Sequence, residues 1–300
     1  MRVFMTGASG FIGSAIVREL LVAGHQVSAL ARSEPAAAAL GALGVQVQRG
    51  SLQDLDGLHH AAAQADGVIH TAFGHDFTQY ASAGETDRAA VAAMGAALAG
   101  TERPFVITSG VTVLAAGQLA TEAGIPDPHA ISAIRIPSER VMGELAASGV
   151  RTSVIRLPPS VHGHGDHGFV PALIATARKK GVSAYVGDGM NRWPAVHRLD
   201  AALLFRLALE RAPAGAVLHG VADEGVPFKD IAERIARRLK LPTVALAANA
   251  AAGHFDWLGQ VVAADLPASA TTTRSLLDWR PRQLSLLRDL ERGSYFAAYV

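Results

Sequence analysis

At 300 residues, half of them hydrophobic and only 18% charged, the chain can bury a large core and is not compositionally disordered. The formal net charge of +1 offers no basic field for nucleic acid or an anionic membrane, and the absence of cysteine excludes disulfides, thiolate chemistry and cysteine metal sites. The N-terminus lacks the basic and apolar regions of a secretion signal, and no apolar run is long enough to span a bilayer, so a soluble cytoplasmic protein is expected.

In chain order, "RVFMTG" predicts a first strand and Ser14 to Ala23 a helix. "HQVSALAR" predicts a second strand, "PAAAALGAL" a second helix and "VQVQRG" a third strand. The fourth, fifth and sixth strands are "ADGVIHTAF", "RPFVITSG" and "VRTSVIRLP", separated by helices over about 85–100 and 133–148. Strands alternating with helices predict a parallel sheet covered on both faces. Beyond Pro158 the pattern loosens. "PPSVHGHGDHG" is a Gly/Pro/His loop, followed by a helix near 170–180 and the turn-rich "YVGDGMNRW". "DAALLFRLALE" predicts a helix and "GAVLHGVAD" a seventh strand. "FKDIAERIARRLKL" is amphipathic, with Ile231, Ile235 and Leu239 on one face. The expected fold is α/β, a Rossmann-type doubly wound parallel sheet with a smaller C-terminal substrate lobe. Residues 1–158 and 196–222 are expected in the sheet domain, and 159–195 and 223–300 in the lobe.

Three glycines, Gly7, Gly10 and Gly13, join the first strand to the first helix in "MTGASGFIGSAIV". One glycine permits the sharp turn, a second lets backbone approach a pyrophosphate, and a third lets helix and strand pack closely. The helix N-terminus then offers free N–H groups to the anion. Gly7, Ser9, Gly10, Phe11, Ile12 and Gly13 are therefore candidate cofactor contacts. At the end of the second strand such folds carry an acid for a free ribose or a base for a 2′-phosphate. Arg32 and Ser33 stand there, which favours NADP(H); Glu34, one place on, keeps NAD(H) as the alternative.

These residues resemble the extended short-chain dehydrogenase/reductase superfamily, the group that includes sugar-nucleotide epimerases and dehydratases. "TGASGFIG" is similar to its TGxxGxxG, "GSLQD" to its GDLxD, "DGVIHTAF" to its DxVIHxAA and "VIRLPPSVHGHGD" to its RxxxVYGPGD. "AVHRLDAA" and "LLDWRP" resemble its VHVxDxA and LGWxP segments. The resemblance implies adenine contacts at Ser51 and Leu52. It implies further cofactor contacts at Thr71, Ala72, Phe73 and Pro158. It also implies a catalytic Ser/Thr, Tyr and Lys, the last two as YxxxK. Here the matching helix reads "RIPSE", with Arg135 at the Tyr position and Glu139 at the Lys position. The serine position falls on Gly110, beside Ser109.

Arg135 and Glu139 are four apart and would share a helix face as an ion pair. A carboxyl of ordinary acidity is a poor proton donor at neutral pH; burial would favour that role for Glu139 and pairing would oppose it. Imidazole titrates near neutrality, so His162 and His75 are candidate donors, with Tyr80 beside them. "HGHGDHG" clusters three histidines and an aspartate but is read as a polar cleft loop; no metal is assigned. Arg192 and Trp193 are candidate substrate contacts.

The expected activity is NADPH-dependent hydride transfer to a small carbonyl, imine or quinone-like acceptor, with a non-standard proton donor. The alternatives are a catalytically silent NADP(H) sensor and a sugar-nucleotide epimerase or dehydratase. A small-molecule substrate is the expected partner. Pairing of related folds through long helices suggests a homodimer.

Overall fold

Val3 and Met5 turn to one face of the first strand and Phe4 to the other, and all three are wholly buried. That alternation is the pleat of a strand covered on both sides. The computed structural model describes residues 1–74 and 80–296, with Tyr80 and Gln260 described by their backbone alone.

The first half runs β1 (Arg2–Thr6), α1 (Phe11–Val22), β2 (Gln26–Ala31), α2 (Glu34–Gly41), β3 (Gln46–Arg49), α3 (Leu55–Ala63) and β4 (Gly67–His70). It continues through α4 (Tyr80–Ala96), β5 (Pro104–Gly110), α5 (Ile136–Ala147) and β6 (Arg151–Leu157). The second half holds β7 (Ser160–His162), α6 (Phe169–Lys180), β8 (Ser183–Val186), β9 (Arg192–His197), α7 (Arg198–Arg211) and β10 (Ala216–His219). After these come β11 (Asp223–Pro227), α8 (Phe228–Leu239), β12 (Thr243–Leu246), α9 (Ala251–Phe255), α10 (Gly259–Val262), α11 (Thr271–Leu277) and α12 (Leu286–Arg292).

Seven strands form a parallel sheet in the order β3-β2-β1-β4-β5-β6-β10. The α/β Rossmann-type fold expected from the sequence is what forms, and "GAVLHGVAD" does supply the seventh strand. Strand order reverses between β1 and β4, which opens a crevice at the carboxyl ends of the strands. One face packs Val3, Met5, Ile69, Val106 and Ile155 against α1 and α7; the other packs Phe4, Val68, Phe105, Ile107 and Val154 with residues of α3, α4 and α5.

A second core lies under β7, β9 and β11 and the β8–β12 pair. Its spine is aromatic. Phe169, Trp193, Phe228 and Phe255 meet edge to face in succession, with centroids 5.7, 5.0 and 6.3 Å apart. Trp193, expected as a substrate contact, is 0% exposed and its indole N–H donates to the Val261 carbonyl, so it is a packing residue. Residues 268–279, expected in the lobe, send Ala268, Ala270, Leu277 and Trp279 into the sheet core instead. Among the described residues no helix is long and apolar enough to cross a membrane.

Candidate functional site

The glycine loop lies at the end of β1 and against the end of β4. Gly7 has φ +73°, and a Cβ there would stand 2.5 Å from Thr71 Oγ1 and 2.6 Å from the Ala72 nitrogen. A Cβ on Gly13 would collide with the Gly7 carbonyl oxygen, so glycine lets α1 rest on the loop. Gly10 differs: its Cβ would meet only the Gly7 oxygen, at 3.2 Å, and otherwise open space. Gly10 brings no side-chain cap, so the first-turn N–H groups of α1 stay open to an anion. These features fit a dinucleotide's diphosphate. Thr71 and Ala72 are tied to β1 through Thr6: the Thr71 hydroxyl donates to the Thr6 carbonyl at 2.9 Å. Ser9 is exposed and Phe11 and Ile12 half-buried at the same mouth.

At the far end of the crevice Arg32 is exposed just past β2. Ser33 caps α2, its hydroxyl accepting from the Ala36 N–H at 3.4 Å. Register pairs Ala31 with Arg49, so the last residue of β3 lies across from the residue before Arg32. Arg49 reaches Glu34 at 3.3 Å, which engages the acid that argued for a free ribose. Ser51 and Leu52 follow β3; the Ser51 hydroxyl accepts from the Gln53 N–H, and Leu52 packs on the core.

The middle of the site rests on Asp87 of α4, which is 1% exposed. His70 Nε2 donates to its carboxylate at 3.0 Å and Arg135 Nη1 at 3.3 Å, and the Ser138 hydroxyl donates to its other oxygen. His70 Nδ1 lies 2.6 Å from Thr6 Oγ1, so a polar chain runs from the glycine-loop strand to α5. Burial pushes the Asp87 carboxyl up, but Arg135, His70 and Ser138 outweigh it and hold the carboxyl below its ordinary value. Arg135 also donates to the Thr108 carbonyl, and its guanidinium lies 4.1 Å over the Phe73 ring.

The expected Arg135–Glu139 pair does not form. Arg135 ends a 3-10 turn (Ala133–Arg135) before α5 begins, so helical spacing does not apply, and Asp87 claims it. Glu139 pairs instead with Arg156 of β6, which donates to both carboxylate oxygens at 3.1 and 2.7 Å and to the Gly124 carbonyl at 3.2 Å. Both side chains are buried. Both Glu139 oxygens thus accept from one guanidinium, the kind of pairing that opposes a donor role.

Ser109 is buried, and among the described residues its hydroxyl has no partner. At Gly110 a Cβ would stand 3.0 Å from Thr112 Oγ1. A side chain at 110 would therefore press on the Thr112 hydroxyl, which lies 2.7 Å from Ser132 Oγ. Pro158 is buried just past β6.

The histidine loop does not converge. His162 is 0% exposed and its Nδ1 donates to Asp289 at 2.8 Å, with the ring edge-on to His197. Its ring faces the interior. His164 and His167 are exposed, and Asp166 accepts from the Tyr295 hydroxyl and the Gly168 N–H. Among the described residues no cluster of three metal-ligating side chains occurs. Arg192 donates to both oxygens of Asp265 at 2.9 and 2.7 Å, so the expected substrate contact is already paired. His75 lies outside the described residues. Tyr80 opens α4 and its side chain is not described.

Residues 3–219, most of the sheet domain, match the NAD dependent epimerase/dehydratase family. The chain belongs to that family. An uncharacterized protein of Schizosaccharomyces pombe is 50% identical over 303 residues, spanning 99% of this chain and 100% of that one. The 2-alkyl-3-oxoalkanoate reductase of Stenotrophomonas maltophilia is 32% identical over 262 residues, covering 81% of this chain and 77% of its own. The dTDP-glucose 4,6-dehydratase DesIV of Streptomyces venezuelae, solved with NAD and TYD bound, superposes with a TM-score of 0.78 at 20% identity. It covers 99% of this chain and 96% of its own, a likeness of fold. Within this epimerase/dehydratase frame the sequence reading missed Asp87, Arg156, Thr112, Ser132 and Arg49. Arg49 carried a usable signal, since it ends the strand that pairs with β2. The others depend on partners 17 or more residues away.

Proposed function

We propose that the protein is an NADPH-dependent oxidoreductase that reduces a small carbonyl acceptor. The observation that carries this reading is the crevice itself. A glycine cradle with open helix N–H groups lies at one end, and exposed Arg32 stands just past β2 at the other, with Glu34 engaged by Arg49. The reductase name of the Stenotrophomonas relative supports a carbonyl acceptor.

When bound, NADPH would supply a hydride to the acceptor's carbonyl carbon, whose oxygen would take up a proton. The Thr112–Ser132 hydroxyl pair is the donor the geometry favours: Thr112 hands over its proton and regains one through Ser132 from water. Arg135, pinned by Asp87 and stacked on Phe73, is a fixed positive charge that stabilises the developing alkoxide.

The test follows NADPH oxidation against a panel of ketones, imines and quinones. Turnover is expected with ketones. Thr112→Val should lower kcat by about 100-fold, the lower range for loss of a proton donor, and leave NADPH affinity unchanged. Full activity in that variant would remove Thr112 from the mechanism. NADPH binding without turnover of any acceptor would instead favour the sensor reading.

The adenosine end makes a separate prediction. Arg32→Gln should weaken NADPH binding roughly tenfold or more, the scale of one charge-assisted hydrogen bond, and leave NADH binding unchanged. Calorimetry with both nucleotides reads the difference. Equal loss for both would show that Arg32 does not meet the 2′-phosphate.

A further inference from the structure

The glycine loop supplies backbone donors to a diphosphate, but backbone N–H groups carry no net charge. We infer that Arg198, from the second half of the chain, is a diphosphate-binding residue that adds a cation to this cradle. The inference rests on reading the crevice as a dinucleotide site.

Arg198 is the first residue of α7, the helix that packs along α1. Its guanidinium carbon lies 4.5 Å over the ring of Phe11, the first residue of α1. Nη2 donates to the Ser14 hydroxyl at 2.8 Å and Nη1 to the His164 carbonyl at 2.8 Å. These contacts fix the charge at the first turn of α1, where the open N–H groups also lie.

Its electrostatics are incomplete. Arg2, Arg135, Arg156, Arg192 and Arg206 each reach a carboxylate. Among the described residues no carboxylate pairs with Arg198, and its Nε is buried without a hydrogen-bond partner. Burial pushes the guanidinium below its ordinary value, and Arg18 nearby acts in the same direction. Asp166 acts the other way, but its two oxygens are held by Gly168 and Tyr295. A partly buried cation beside a second cation is costly unless an anion joins them. A diphosphate in the glycine cradle is such an anion, and a planar guanidinium suits its oxygens. Through the His164 carbonyl the same residue ties the glycine loop to the loop after β7.

The test compares wild type with Arg198→Gln by calorimetry. The ligands are NADPH and adenosine 2′-monophosphate, which lacks the diphosphate. If NADH proves the tighter dinucleotide, NADH and adenosine replace them. The variant should bind the dinucleotide roughly ten- to a hundredfold more weakly, bind the fragment as wild type does, and melt within a few degrees of wild type. Unchanged dinucleotide affinity would overturn the inference. So would equal weakening for both ligands, since that marks a structural role. If Arg198→Gln does not fold, Arg198→Lys, which keeps the charge but loses the planar fork, should bind the dinucleotide several-fold more weakly and the fragment as wild type does, and unchanged dinucleotide affinity counts against the inference. Wild type binding neither NADPH nor NADH would be a different failure, that of the dinucleotide reading itself.

Discussion

Asp87→Ala is expected to destabilise the protein by about 3–5 kcal/mol, the scale for removing one partner of a buried charge pair. Three donors lose their acceptor at once. His70, Arg135 and Ser138 all converge on this carboxylate, and two of the three are 1% exposed. Arg135 is left as a buried cation whose remaining partners are the Thr108 carbonyl and the Phe73 ring. Urea denaturation reads the loss directly. A loss under about 1 kcal/mol, within the range of an ordinary surface change, would show that the network does not hold α4 to α5.

The same variant makes a signed prediction for pH. The Asp87 carboxyl is held below its ordinary value of 3.8 in the folded protein. A depressed carboxyl contributes stability that is fully present above the unfolded value and lost as pH falls through the folded one. The gap between wild type and Asp87→Ala should therefore be constant above about pH 5 and shrink as pH falls below about 4. A gap that widens toward acid would contradict the charge arrangement described for His70, Asp87 and Arg135.

Gly13→Ala is expected to abolish tight dinucleotide binding. The added Cβ would collide with the Gly7 carbonyl oxygen and stand 2.8 Å from its carbon and 3.0 Å from Ala8 Cα. All three are main-chain atoms at the end of β1, so no side chain can swing aside. Helix α1 must move off the loop, at about 1–3 kcal/mol in stability. Its first-turn N–H groups move with it. A displacement of that kind is expected to cost about 100-fold in kcat/KM with NADPH, the scale for a 1 Å misplacement of a positioned group. Gly24→Ala is a useful contrast: there a Cβ meets nothing within 4 Å, and only the φ of +83° opposes it. It should lose some stability and leave nucleotide binding unchanged, because it sits at the other end of α1.

The parts of the fold legible in the sequence are the local ones. β1, β2, β4, β5 and β6 are short runs rich in β-branched and apolar residues, and the glycine spacing marks the turn after β1 from chemistry within seven residues. Helix α3 escaped the reading although Asp54 caps it, accepting from the Gly57 N–H. Strands β7, β8 and β9 also escaped. They run only three to six residues through Gly- and Pro-rich sequence, and their pairing partners lie far along the chain.

The site divides along the same line. Arg32, Ser33 and the glycine loop sit where spacing from β1 and β2 places them. Arg135 and Glu139 did not follow helical spacing, because α5 starts only at Ile136 and each found a buried partner outside its own helix. His162 stands in a motif that reads as a cleft loop, but Asp289, 127 residues on, draws it into the interior. Pairing over such separations is a property of the packed sheet and lobe, and residue spacing carries no trace of it.

The most direct test of the central claim is titration of the wild-type protein with NADPH and NADH by calorimetry, without substrate. The glycine cradle and Arg32 predict saturable binding of both, with NADPH the tighter. Absence of heat with either nucleotide, from a protein whose melting shows it folded, would contradict the account.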